Sequence, residues 1–148
     1  MAAFNKYQDF VEQVLTAKHN FTAAGDVFRI YLSNVAPTAT DTSKPGTATE
    51  FSITQFGYTA MGEDVQNTLA ETTGTATVSG TKVVWTCSGT AWATFRYIVL
   101  YNDTQTSPAD ALVGWWDYGV GGVTLQIGET FSVKFNGSET SGSIITLQ

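Results

Sequence analysis

The chain has one cysteine, one histidine and three prolines among 148 residues, and each scarcity removes a class of protein. With Cys87 alone there is no internal disulfide framework. No Cys or His lies close to it in sequence to share a metal, so it reads as a bystander thiol. With His19 alone, any Ser–His–Asp arrangement must pass through a residue beside Lys18 at what reads as a helix end, and no G-x-S-x-G nucleophile signature accompanies it. Charge is scarce too. Asp, Glu, Lys and Arg make up 14% of the chain, against about 25% in ordinary soluble domains. The net charge is −6 and the seven Lys and Arg are scattered, which argues against wrapping nucleic acid, because phosphate binding needs a basic surface. No apolar run reaches the ~18 residues of a membrane span and no basic-then-apolar leader is visible, so the expectation is a protein made and used without export or membrane.

The chemistry-bearing residues that remain form no recognisable motif. Glu63, Asp64, Asp103, Asp110, Asp117 and Glu129 mostly sit in Gly-, Asn- or Pro-containing stretches, where carboxylates serve turns and solubility. No calcium-loop pattern is present. The glycine-rich run from Gly119 to Gly122 lacks the Lys and helix of a phosphate cradle. The expectation is a protein with no enzyme activity, no cofactor and no metal.

What the chain has in abundance is Thr, Ser, Gly and aromatic side chains, a composition suited to β structure. Val123, Leu125 and Ile127, then Phe131, Val133 and Phe135, alternate with Thr124, Gln126, Ser132 and Lys134, the pattern of strands with one buried face. Three other runs are apolar on both faces: 27–32, 95–101 and 112–118. In the last, Leu112, Trp116 and Tyr118 fall on one face and Val113 and Trp115 on the other. Such strands must be covered twice, by their own chain or by a partner. Shorter strands are expected within FSITQF, GYTAMG, ATVSG and KVVWT, a turn at Asn136–Gly137, and a last strand over 143–147.

Asn5 and Gln8 have capping-box character. Tyr7, Phe10, Val11, Val14 and Leu15 then follow the stripe of an amphipathic helix over about residues 5–18, with Asn20 beyond it as a stop. Its ordinary role is a lid on the sheet, and its alternative role is docking. Residues 33–50 read as a long Thr- and Pro-rich loop of the kind that is functional or mobile, and suited to gripping a neighbour. The whole reads as one domain, 1–148, with a β body from about residue 26. The expected fold is mainly β, an antiparallel β-sandwich or jelly roll with one N-terminal amphipathic helix.

An apolar surplus of this kind marks candidate interface residues. They are Tyr7, Phe10 and Val14 on the helix, and Tyr97, Tyr101, Trp115, Trp116 and Tyr118 on the strands. Trp115, Trp116, Tyr118 and Asp117 also invite comparison with a sugar-stacking platform. Adjacent strand residues face opposite ways, however, so the two Trp cannot both line one groove of a regular strand.

The C-terminal stretch FRYIVLYNDT, LVGWWDYG and LQIGETFSVKF, with the opening FNKYQDFVEQV and the GYTAMG segment, resembles small virion proteins of tailed bacteriophages and prophages. The likeness covers most of the chain, less clearly 33–50 and 65–90. It implies a capsid cement or decoration protein of β-sandwich or jelly-roll form, seated on the outer face of the head after assembly in the host cytoplasm. The partners it implies are the major capsid protein and further copies of itself, with no nucleic acid and no membrane. Tail or fibre proteins of similar β-rich kind make an adhesin or carbohydrate-binding module the alternative. The lack of disulfides fits a reducing cytoplasm.

Overall fold

A computed structural model of the protein describes residues 2–46, 50–51 and 56–148. Most of the expected FSITQF strand lies outside the described residues. The molecule is mainly β, with 43% of residues in strands and 6% in helix. In chain order the elements are β1 (Phe4–Lys6), α1 (Phe10–Leu15), β2 (Phe28–Ser33), β3 (Glu63–Asp64), β4 (Thr68–Thr72), β5 (Thr75–Thr81) and β6 (Val83–Thr86). β7 (Tyr97–Thr106), β8 (Ala109–Asp117), β9 (Thr130–Val133) and β10 (Ser141–Leu147) complete the chain. They form sheets of order β1-β8-β7-β2-β3, β10-β5-β4 and β6-β9. Every pairing is antiparallel.

The long β7–β8 hairpin and β2 form the centre of the first sheet. Ile30, Leu32, Ile98, Leu100 and Trp116 share one face, because Ile30 pairs with Leu100, and Ile98 with both Leu32 and Trp116. Tyr31, Val99 and Trp115 share the other. Both faces are apolar, as the double-sided runs require, and both are closed by the chain itself. On the first face, Phe21 stacks on Phe28 at 4.4 Å and Phe135 meets Trp116 at 5.9 Å. On the second, Tyr7 lies on Trp115 at 4.7 Å and Lys44 over the rings of Tyr31 and Tyr101, in a segment anchored by backbone pairing to β8, where Ser43 bridges Ala111 and the Lys44 N–H donates to the Asp110 carbonyl. The apolar surplus is thus absorbed internally rather than left for a neighbour, and the described part of the 33–50 loop is a packed cover. Side chains from all three sheets and α1 join one buried cluster.

Four local expectations are corrected. The helix is six residues, Phe10–Leu15, not fourteen. Residues 4–6 are drawn into β1 by pairing with 114–116 of β8. At the other end Ala17 has φ 57°, a left-handed conformation that ends the helix. Leu112 and Trp116 lie on opposite faces, because Leu100 pairs with Gly114 while Tyr101 pairs with Leu112. Val113 is therefore an extra residue, a bulge that reverses the alternation. The 123–127 run is not a strand. Val123 makes a single bridge to Phe95, Leu125 is buried, and Ile127 is 64% exposed before Gly128, whose φ is 87°. GYTAMG is turn rather than strand, with positive φ at Gly57, Met61 and Gly62. The other expected elements are present: strands within 75–81, 83–86 and 141–147, and a turn in which Asn136 and Gly137 both have positive φ.

Candidate protein-contact surfaces

The candidate interface residues divide by what the fold does with them. Tyr7, Phe10, Tyr97, Tyr101 and Trp116 are buried, and Val14, Trp115 and Tyr118 are partly buried against the core. Trp115 rests on Tyr7 at 4.7 Å and Trp116 on Phe4 at 5.0 Å, so each indole face is already occupied by a ring of the same chain. Asp117 is engaged too. Both of its oxygens accept from Arg96 at 2.7 Å and one also accepts the Gly119 N–H at 2.8 Å, which holds its carboxyl down to about pKa 2. A stacking platform with a free carboxylate is not what these residues form. Burial pushes the phenols of Tyr7 and Tyr101 well up from their ordinary value and raises that of Tyr118, so they stay neutral packing groups.

Most buried polar groups find partners, the Trp85 indole N–H being an exception. His19 Nε2 is 2.8 Å from Gln13 Oε1 and its Nδ1 is 3.1 Å from Asn102 Nδ2, which also donates to Asp26 at 2.7 Å. Burial lowers the imidazole to about pKa 4, against a smaller opposing pull from Asp26 and then Asp9. This chain ties α1 to β7. Lys44 and Glu50 form a second cluster beneath the loop cover. Neither was visible in the sequence as a partner, since the two lie six residues apart in a Thr-rich loop. Among the described residues no group of three or more His, Cys, Asp or Glu is placed to hold a metal. No described helix is long and apolar enough to cross a membrane.

Large apolar side chains are exposed singly at Val27, Val35, Leu69 and Val84, and further ones lie along a groove and on a set of loops. The groove, of about 480 Å³, lies between α1, β1 and β10 and is lined by Phe4, Lys6, Phe10, Val11, Val14, Leu15 and residues 144–147. Leu15 is 82% exposed there, with Val11 and Leu147 near half. The amphipathic stripe is therefore only half used: Phe10 enters the core, while its neighbours face the groove. The loops are three that bond to different points of the 87–95 segment. Phe56, 59% exposed, accepts through its carbonyl from Ser88 N–H, and Gly128, next to Ile127, donates to the Cys87 carbonyl. Val120, 96% exposed, tops the turn that leads into the Val123–Phe95 bridge. The sequence carried a signal for the first surface, since α1 and β10 are both apolar, but their adjacency belongs to the fold.

No family model matches the chain, and no curated protein or solved structure matches it.

Proposed function

We propose that this is a bacteriophage virion structural protein, a capsid cement protein that binds the outer surface of the head through a β-sandwich body. The observation that carries the reading is where unsatisfied surface remains. Titratable groups of the interior are tied to one another, whereas large apolar side chains stand exposed at Phe56, Val120 and Ile127 and along the α1–β10 groove. Large apolar side chains left in solvent point to protein contact more than to chemistry on a small molecule. The resemblance of the Y-N-D-T and G-W-W-D-Y-G stretches to phage virion proteins supplies the partner. The net charge of −6 suits the outside of a shell better than its DNA-filled interior. A protein that binds only the assembled lattice stabilises it by mass action, each bound copy adding its own contact energy.

The test is titration of the purified chain onto phage heads lacking it. Saturable binding at many copies per particle, with a rise in the temperature at which heads release DNA, is the expected result. Binding of only a few copies at one vertex or at the tail would overturn the cement reading in favour of a tail component. Phe56→Ser and Ile127→Ser together should weaken binding while leaving the fold unchanged, because both side chains lie largely outside the core.

A further inference from the structure

Among the described residues Lys44 is the one buried lysine, and its Nζ lies 3.0 Å from Glu50 Oε2 with both side chains wholly enclosed. Burial disfavours charge on both groups, and one proton moved along that contact discharges the two together. The surroundings suit the neutral pair. Nζ also lies 2.7 Å from the Gly46 carbonyl and 3.7 Å from the Met61 sulfur. With one N–H donated to each, a neutral amine presents its lone pair to the Glu50 carboxyl. The other carboxyl oxygen, Oε1, accepts from the Tyr58 hydroxyl at 3.0 Å and from the Met61 N–H at 2.6 Å. Two fixed donors on one oxygen are the arrangement that stabilises an oxyanion when the attached carbon is attacked. The rings of Tyr31 and Tyr101, 5.1 and 5.7 Å from Nζ, wall the site, and its enclosure keeps out water that would solvate the ions or hydrolyse a product.

We propose that Lys44 and Glu50 are the reactants of an autocatalytic condensation, and that the mature protein carries an isopeptide bond between Lys44 Nζ and Glu50 Cδ. In the neutral pair the Nζ lone pair attacks Cδ. The new N–C bond pushes the carbonyl electron pair onto Oε1, where the Tyr58 hydroxyl and the Met61 N–H hold the negative charge. Nζ then passes a proton to the Oε2 hydroxyl, its contact at 3.0 Å before the attack. As the carbonyl re-forms, the Cδ–Oε2 bond breaks and one water leaves. The amine supplies one hydrogen of that water and the carboxyl its hydroxyl, and nothing is oxidised or reduced. In open solution hydration of the two ions opposes such a condensation. Here that hydration is already lost, the partners are held in contact, and bond formation removes both buried charges. The product fastens residue 50 to the segment that pairs with β8. This goes beyond the capsid reading and does not depend on it.

The experiment uses the full chain, folded, incubated and then denatured for intact-mass measurement. The wild type should be lighter by one water than its sequence predicts. Peptide mapping should place the loss in a segment holding both residues, with no backbone fragments from between 44 and 50. Lys44→Met, which has no amine, should keep its full mass. Tyr58→Phe keeps the ring and removes one Oε1 donor, so bond formation followed from the end of cell-free synthesis should slow by roughly 100-fold or more, with circular dichroism confirming that the variant folds. A wild-type chain of full mass after prolonged incubation overturns the proposal. So does a water loss that persists in Lys44→Met, and so does a Tyr58→Phe chain that condenses at the wild-type rate, because the Oε1 donors would then not be what activates the carboxyl.

Discussion

Lys44 and Glu50 form an ion pair with both side chains wholly enclosed, Nζ 3.0 Å from Oε2. Neither partner is left short. Lys44 also donates to the Gly46 carbonyl at 2.7 Å and lies over the rings of Tyr31 and Tyr101 at 5.1 and 5.7 Å. The other Glu50 oxygen accepts from the Tyr58 hydroxyl at 3.0 Å and the Met61 N–H at 2.6 Å. This pair holds the 34–46 segment and the turn at 56–62 onto the same sheet face, so it stands where a partner chain had been one expected cover.

Breaking the pair from one side leaves a buried charge alone, and Lys44→Met or Glu50→Gln should each cost about 3–5 kcal/mol in urea unfolding. Replacing both, as Lys44→Met with Glu50→Leu, should cost clearly less than the two losses added together. Additive losses would mean that the two side chains act independently.

A pH dependence follows from His19. Its folded pKa of about 4 lies below the ordinary 6.5, so the unfolded chain takes up a proton before the folded one does. The sign is fixed by that order: the contribution is intact above about pH 6.5 and is lost as pH falls toward 4, by up to about 3 kcal/mol. Asp117 and Glu139, both held below their ordinary values by cationic neighbours, lose their contributions at more acid pH. Unfolding free energies measured between pH 7 and 4 should fall in the wild type and fall much less in His19→Gln. Parallel curves would place the slope on carboxylates instead.

Neighbouring residues after β9 test the register. Phe135 is 1% exposed, packed on Trp116 and over Gly80. Phe135→Ala should cost about 3–5 kcal/mol. Lys134 pairs with Glu139 only in solvent, and Lys134→Ala should cost less than about 1 kcal/mol. Ile127→Ser should resemble Lys134→Ala, because that side chain stands mostly in water. Thermal melts of the three variants give the order directly.

The double-sided runs at 27–32, 95–101 and 112–118 were legible as strands, whereas of the two cleanly alternating runs 123–127 is loop and 131–135 is strand only as far as Val133, with Phe135 opening a 3-10 turn. Where a contact distant in sequence decides the outcome, periodicity misled. The helix stripe was real but ran through residues that β8 claimed for β1, and Leu112 and Trp116 were assigned to one face because a bulge at Val113 leaves no mark on composition. Of the surfaces, Phe10 and Val14 do lie at the groove, but Leu15, Leu147 and Val120 stand further out than any of the eight candidate interface residues. A strand edge is a property of sheet order, and sheet order was not legible.

Gly114 links that edge geometry to the groove. Its pairing with Lys6 brings β1 so close that a Cβ at 114 would meet the Phe4 ring at 2.3 Å and the Asn5 carbonyl at 2.6 Å. The ring could swing aside, but the carbonyl belongs to the paired strand itself. Gly114→Ala should therefore lift β1 from β8, at a cost of about 1–3 kcal/mol, and expose residues 2–8 to protease well before the β7–β8 hairpin is cut. Phe4 is part of the groove wall, so the same substitution should also reshape the groove. Phe4→Ala, which removes the ring without moving the backbone, should thin the groove yet leave residues 2–8 protected. If Gly114→Ala proves as protease-resistant as the wild type, β1 is not held by this close approach, and the groove owes its shape to α1 and β10 alone.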